Sequence, residues 1–153
     1  MSFRSEHKLR LTPFDQSLLA QTLIHRGMRG LYPKREIVSV YFDNQNLNMF
    51  RDSEEGCVPR RKIRIRHYPH SKDQKKLEIK ISSINGRFKN SEGLTVARSA
   101  ALLNRGYFDN LYGICMPVIE VSYQRQYFQL RNMRITFDSN IRYREYEKLI
   151  DYC

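Results

Sequence analysis

The sequence lacks most features that mark secreted, membrane or zinc-binding proteins. Its three cysteines are widely spaced and form no Cys-x-x-Cys motif, which predicts free thiols rather than a disulfide framework or a zinc site. No stretch approaches the roughly 18 apolar residues of a membrane-spanning helix, and the opening segment has no signal-peptide core. A Walker-type glycine loop is also absent. These absences favour a soluble, cytoplasmic protein.

Acidic residues are scarce compared with basic ones. The chain has 27 Lys and Arg against 16 Asp and Glu, so its formal net charge is +11. Such an excess favours anionic partners: nucleic acid, phosphorylated metabolites or an acidic membrane surface. A hydrophobic share of 41% is enough for a packed interior, and 153 residues suit one domain.

Two segments, 62–66 and 76–80, alternate strictly between charged and aliphatic residues. An alternation of period two predicts β-strands, and the polar connection between the segments predicts a hairpin. One face of this hairpin is aliphatic and suits a core. The other face is almost wholly charged and consists of Lys62, Arg64, Arg66, Lys76, Glu78 and Lys80.

A sheet face so rich in charge has two physical solutions. It can lie open in water, as one face of an antiparallel sheet often does, or the sheet can curl into a barrel with an ionic interior. The carboxylates of Glu6, Glu78 and Asp138 each lie one step from Lys or Arg on the same predicted face. This arrangement favours a barrel with an ionic interior. Basic residues that hold phosphate oxygens, with carboxylates that hold Mg²⁺ or Mn²⁺, are what phosphoryl transfer requires.

The remaining pattern predicts an α+β fold with an antiparallel sheet and two helices. The first helix begins at Thr12 and Pro13 and ends at Gly27. The second covers about 92–104 and is closed by Gly106. Further predictions are strands at 3–11, 38–43, 118–128 and 133–138, a turn at 44–48, a loop at 52–59, a basic loop at 85–90 and a short helix within 142–153.

Six short motifs occur in order along residues 3–138. They are Arg4-x-Glu6-x-Lys8, Ser39-Val40-Tyr41-Phe42-Asp43, Lys62-Ile63-Arg64-Ile65-Arg66-x-Tyr68, Leu77-Glu78-Ile79-Lys80, Tyr123-x-Arg125 and Arg134-Ile135-Thr136-Phe137-Asp138. Together they resemble the VTC domain, the polyphosphate polymerase module of the triphosphate tunnel metalloenzyme (CYTH-like) superfamily.

The resemblance implies one tunnel domain over residues 1–153, built as an antiparallel β-barrel with two flanking helices. Its charged side chains would point inward and hold ATP, triphosphate or polyphosphate. The implied activity is a phosphotransferase of the polyphosphate polymerase type, which moves the terminal phosphate with Mn²⁺ or Mg²⁺.

Site residues follow from the resemblance position by position. The catalytic set is Lys8, Arg64, Arg66, Lys80 and Arg125. Further phosphate contacts are Lys62, Lys89, Tyr123 and Arg134. The metal set is Glu6, Glu78 and Asp138, with Glu6 and Glu78 alternatively orienting the lysines. The residues Tyr41, Phe42 and Asp43 are expected to support the wall.

The family pattern also implies a later strand with a Glu-x-Lys motif, which the sequence up to Cys153 does not contain. We therefore expect a tunnel that is open along one side or is completed by another chain, including a second copy. Three alternatives remain: a polyphosphate- or nucleotide-binding module without catalysis, a triphosphatase of the same superfamily, and RNA binding by an open basic sheet with nearby tyrosines.

Overall fold

The computed structural model of the protein describes residues 6–71 and 74–146. The helices in these residues are α1 (Pro13–His25), α2 (Asn48–Glu55) and α3 (Val96–Arg105). The strands are β1 (Arg29–Asp43), β2 (Arg60–His67), β3 (Lys76–Ser83), β4 (Gly86–Gly93), β5 (Tyr107–Asp109), β6 (Gly113–Leu130) and β7 (Met133–Glu145). They form one sheet in the order β4-β3-β2-β1-β6-β5, and β7 also pairs with β6. The α+β prediction is confirmed. The sheet is not closed within the described residues, so the barrel stays a prediction.

The chain divides into two compact units. The first combines Met1–Lys34 with Arg125–Phe137, and the second combines Arg35–Gln124 with Asp138–Cys153. The long strands β1, β6 and β7 each contribute residues to both units. Each unit has its own hydrophobic cluster.

Helix α1 belongs to the first unit and begins and ends where the sequence predicts. The Thr12 hydroxyl caps its first turn by accepting a hydrogen bond from the Asp15 backbone N–H at 3.1 Å. Its inner side packs against a buried cluster that includes Met28, Leu130 and Phe137. The Phe128 and Phe137 rings meet edge to face in this cluster, with centroids 5.6 Å apart.

The strand predicted for residues 3–11 is wrong over its described part. Residues 3–5 lie outside the described residues, and residues 6–12 form no strand. Leu9, which the alternation assigns to a core face, is 76% exposed. Alternation supplies only the side-chain pattern of a strand, whereas a strand also needs a neighbour whose backbone groups pair with its own.

The second unit buries the aliphatic face of β1, β2 and β3 under α2 and α3. The pairing sets Val40 opposite Ile65 and Ile63 opposite Ile79, so the aliphatic residues of three strands share one side. Met49 from α2 and Leu102 from α3 complete this cluster. The hairpin formed by β2 and β3 is therefore confirmed, with its aliphatic face in the core.

Helix α2 replaces the first half of the loop predicted for residues 52–59, and residues 56–59 form no helix or strand. Its first turn is anchored by Asp43, whose carboxylate accepts hydrogen bonds from the backbone N–H groups of Met49 at 2.9 Å and Phe50 at 2.8 Å. The predicted turn at 44–48 contains the 45–46 turn that leads into the helix. The supporting role expected for Asp43 thus has a concrete form: the end of β1 holds the start of α2.

Two other predicted segments also have a different structure. The basic loop predicted at 85–90 is the first part of β4, which pairs antiparallel with β3. The helix predicted within 142–153 is wrong for 142–145, which continue β7. Residues 147–153 lie outside the described residues. Helix α3 confirms the second predicted helix with a later start, because Thr95 rather than Glu92 begins it.

Two of the three cysteines lie among the described residues. Cys57 and Cys115 are free thiols, and Cys153 lies outside the described residues. Along residues 6–71 and 74–146, no helix combines the length and the apolar character that crossing a bilayer would need.

Candidate functional site

The charged face of the β2–β3 hairpin extends onto β4 and lies on the side of the sheet opposite the core. We call it the polar face; it consists of alternate residues of the three strands. They are Arg60, Lys62, Arg64, Arg66, Lys76, Glu78, Lys80, Ser82, Arg87, Lys89, Ser91 and Gly93. Cross-strand pairing arranges them in rows, such as Lys62–Lys80–Lys89 and Arg64–Glu78–Ser91.

Glu78 is the centre of an ion cluster on this face. Its Oε2 accepts from Arg64 Nε at 2.7 Å and lies 2.6 Å from the same guanidinium's Nη2. Arg66 lies 3.7 Å from Oε2, and Lys89 donates to Oε1 from β4. We call Arg64, Arg66, Glu78 and Lys89 the Glu78 cluster. One carboxylate thus fixes the positions of three cations from two neighbouring strands.

The charge of Glu78 is strongly stabilised. Burial by itself favours the neutral acid, but the hydrogen bond from Lys89 and the charge and hydrogen bond of Arg64 outweigh burial. They lower the pKa of Glu78 to about 2. The cluster therefore keeps its negative centre at every physiological pH.

Burial differs from residue to residue along the polar face. Arg64 is 8% exposed and Glu78 is 4% exposed, although both lie on the face opposite the helices. A merely solvated face would leave such long side chains in water. The Glu78 cluster therefore has a buried centre at Arg64 and Glu78, whereas the Lys89 side chain is 47% exposed, and the barrel interior stays a prediction.

Arg64 and Arg66 are positioned by hydroxyl groups as well as by Glu78. Arg64 Nη1 donates to the Tyr41 hydroxyl at 2.9 Å, and its guanidinium lies 5.7 Å from the centre of that ring. Burial alone would lower the pKa of Arg64, but Tyr41 and Glu78 raise it further than burial lowers it. Arg66 donates to Ser39 at 3.3 Å and to Tyr123 at 3.4 Å. The contacts of Arg66 are thus longer than those of Arg64.

Lys80 lies beside the cluster and makes no hydrogen bond or ion pair within the described residues. Burial, together with the positive charges of Arg64 and Arg66, lowers its pKa. Four cations, Arg64, Arg66, Lys80 and Lys89, therefore surround a single carboxylate. The group has an excess of three positive charges that an anion would balance.

The other predicted site residues lie in several places. In the first unit, Lys8 and Glu6 are exposed and pair with each other at 3.8 Å. Arg134, also in this unit, is exposed and stacks over the Tyr127 ring at 5.3 Å, and Arg125 lies on β6. In the second unit, Asp138 is exposed on β7. The structure thus brings together Arg64, Arg66, Glu78, Lys80, Lys89 and Tyr123 from the predicted set, with Lys62 in the adjacent row.

The chemistry of the donor groups does not fit a divalent ion held by the protein at the Glu78 cluster. Glu78 is the only acidic residue of the polar face, and cations engage both of its oxygens. Mg²⁺ needs several oxygen ligands, and no group of three or more His, Cys, Asp or Glu among the described residues could hold a metal. The geometry favours the alternative expectation for Glu78, which is to orient the cations. The role of Mn²⁺ or Mg²⁺ stays a prediction.

Sequence reasoning missed the contribution of β1 to this cluster. Tyr41 was expected only to support the wall, and Ser39 was given no role, yet they contact Arg64 and Arg66 directly. Their alternation with buried Val40 and Phe42 was the available signal, because it places both hydroxyls on the face opposite the core. The register of β1 against β2, which sets Tyr41 opposite Arg64, could not be obtained from the sequence.

The site is a cation-rich sheet surface of an α+β protein, organised around the single carboxylate of Glu78. The family model of the VTC domain matches residues 3–152, nearly the whole chain, and the chain belongs to this family. Membership relates it to polyphosphate polymerase modules. A comparison with curated proteins gives no match.

Proposed function

We propose that the protein is a phosphotransferase of the polyphosphate polymerase type, which binds ATP, triphosphate or polyphosphate on its polar face. The observation that carries this proposal is the excess of cations over carboxylate around the buried Glu78. Membership of the VTC family supports the same substrate class.

Each cation has a distinct part in the proposed site. Arg64 is fixed by Glu78 and Tyr41 and supplies a stationary positive charge. Arg66 has long contacts that phosphate oxygens can replace, and its planar fork suits them. The ammonium group of Lys80 has no hydrogen-bond or ion-pair partner in the described residues. A bound anion would stabilise its charged state. The result is a preorganised surface for the negative charge that develops during phosphoryl transfer.

In the proposed reaction, a terminal oxygen of a polyphosphate chain attacks the γ-phosphorus of ATP. A new P–O bond to the chain forms, the bond between the β- and γ-phosphates breaks, and ADP leaves with the electron pair. The predicted Mn²⁺ or Mg²⁺ would enter with the phosphates and neutralise part of their charge. The protein's own cations hold the chain and the leaving group.

The direct test is incubation of the full chain with ATP and Mn²⁺, followed by analysis of the products. The proposal expects ADP and polyphosphate. Release of inorganic phosphate alone would indicate a triphosphatase, and binding without products would indicate a binding module. RNA binding that tripolyphosphate does not displace would contradict the proposed substrate class.

Variants at the polar face identify the site. Arg66→Gln and Lys80→Gln each remove a charge-assisted contact, and we expect tripolyphosphate affinity to fall about 10- to 100-fold. Arg98→Gln on α3 is the matched control, because this exposed arginine belongs to a helix that packs on the opposite side of the sheet. Equal losses in the variants and the control would contradict the proposed location.

A further inference from the structure

Helix α1 of the first unit carries apolar side chains on two opposite sides. On one side, Leu19, Ala20 and Leu23 pack against the buried cluster of this unit. Phe14 and Leu18 are four residues apart and therefore share the other side of the helix, where they are 75% and 55% exposed. Packing within the unit thus accounts for only one of the two apolar sides.

The exposed apolar surface continues beyond the middle of the helix. Leu9 and Leu11 precede α1 and are both exposed, and Ile24 in its last turn is exposed as well. The thirteen residues of the helix alone span about 20 Å. Single exposed apolar residues are common on proteins, whereas a series along one helix marks a surface that contacts an apolar partner. We call Leu9, Leu11, Phe14, Leu18 and Ile24 the apolar ridge.

Cations lie at both ends of the apolar ridge. Lys8 and Arg10 alternate with its two leucines before the helix, and Arg26 and Arg29 follow the helix; all four are exposed. The first unit as a whole has nine Lys and Arg against two Asp and Glu. It therefore carries a formal charge of +7 out of the +11 of the chain, with less than a third of the residues. The partner of this surface should be apolar and anionic at once.

This combination of apolar and basic residues favours one class of partner. A second copy of the chain would supply apolar contacts, but it would bring two units of +7 against each other. RNA would balance the charge, but it would leave the aliphatic side chains without a use. A bilayer with anionic lipids supplies both an acyl-chain region for the ridge and negative headgroups for the cations.

We infer that the first unit docks on the surface of an anionic membrane, with α1 lying in the plane of the interface. Phe14 and Leu18 enter the boundary between headgroups and acyl chains, and the flanking Lys and Arg contact lipid phosphates and carboxylates. The membrane is a surface on which the helix lies and is not crossed. This inference does not depend on the polar face and goes beyond the proposed phosphotransferase.

The chain has no tryptophan, which permits a specific test of insertion. Phe14→Trp in the full chain supplies a single fluorescent reporter on the apolar ridge. Its emission should shift to shorter wavelength with vesicles of mixed phosphatidylcholine and phosphatidylserine, and brominated acyl chains should quench it. The matched control is Phe108→Trp, at a 68% exposed position of the second unit, whose emission should stay unchanged.

A second measurement compares affinities for the same vesicles by flotation. Phe14→Gln/Leu18→Gln should weaken binding at least about tenfold, because two apolar side chains no longer leave water. Val96→Gln/Phe108→Gln removes one aliphatic and one aromatic side chain from exposed positions of the second unit and should leave binding unchanged. Added salt, or vesicles of phosphatidylcholine alone, should weaken binding of the unmodified protein. Circular dichroism checks that both variants are folded.

Several results would overturn the membrane surface. They include no binding to the mixed vesicles, equal losses in the two double variants, or binding that requires Arg66 of the polar face and not Phe14 and Leu18. An emission shift of Phe14→Trp that grows with protein concentration in the absence of vesicles would assign the apolar ridge to a second copy instead. Binding of tripolyphosphate and formation of polyphosphate are measured without vesicles, so the proposed function stands or fails separately.

Discussion

Glu78 performs two tasks in its cluster. It neutralises part of a dense group of cations, and it fixes their geometry through contacts with Arg64 and Lys89. Removing one partner of a buried ion pair costs more than the pair contributes, because the remaining charges lose their compensation. The fold and the proposed site therefore depend on the same carboxylate.

The low pKa of Glu78 predicts how stability changes with acidity. Its folded value of about 2 lies below the ordinary 4.5, so the unfolded chain binds the proton more readily. The stabilisation is complete above the unfolded pKa and is lost as the pH falls toward 2. We expect Glu78→Gln to cost about 3 kcal/mol at pH 6 and much less near pH 2.5, measured by urea unfolding. The stability cost of the control Glu92→Gln, at an exposed position of β4, should not differ between the two pH values in this way.

Tyr41 provides a second residue-scale prediction. Tyr41→Phe keeps the ring beside the Arg64 guanidinium and removes the 2.9 Å hydrogen bond to Nη1. The free energy of unfolding should fall by about 1 kcal/mol, and tripolyphosphate affinity should fall by up to about tenfold because Arg64 loses a positioning contact. Tyr68→Phe, whose ring lies 5.9 Å from Arg35, serves as the control. Unchanged affinity in Tyr41→Phe would show that Glu78 alone positions Arg64.

At the scale of elements, the sequence predicted those helices and strands whose determining residues lie within or next to the element itself. The cap by Thr12 and the proline that follows it specify the start of α1 without reference to the rest of the chain. The alternation in β2 and β3 specifies both strands, because each period-two pattern has one aliphatic face. These elements were predictable.

Elements whose stabilising contacts come from residues outside the element were not predicted. Helix α2 has only eight residues, and Asp43 at the end of β1 holds its N-terminus. Its own sequence lacks a side-chain cap at Leu47, so it was predicted to be mostly a turn and a loop. Strand β4 carries so much charge that it was predicted to be a basic loop, although the Asn85–Gly86 pair is a typical hairpin turn. The contact between Lys89 and Glu78 depends on the pairing of β4 with β3, so it was not predicted either.

Asp43 also leads to a prediction at this scale. Asp43→Ala leaves the backbone N–H groups of Met49 and Phe50 without their acceptor at the start of α2. We expect a loss of about 2 kcal/mol in stability and faster hydrogen exchange of the α2 amides. Glu54→Ala, at an exposed position of the same helix, should leave exchange nearly unchanged. Equal exchange in both variants would show that packing of Met49 is sufficient to hold the helix.

At the scale of the whole molecule, the net charge of +11 makes binding of anions a contribution to stability. A ligand that binds only the folded chain stabilises it by about 2.7 kcal/mol at a concentration 100 times its Kd. Tripolyphosphate should therefore raise the melting temperature, and added salt should reduce the shift because it screens exposed charge. Arg66→Gln should show a smaller shift, whereas Arg98→Gln should match the unmodified protein. Equal shifts in all three proteins would indicate non-specific association.

The register of β2 links folding and ligand recognition. Along this strand Ile63 and Ile65 enter the core, while Arg64 and Arg66, which alternate with them, lie on the polar face. A slip of one residue would place the arginines under the helices and the isoleucines on the polar face. Misregistered chains therefore cannot bury a core, and no stable population can exist with a misassembled site. The same register of β2 therefore specifies both the hydrophobic core and the polar face.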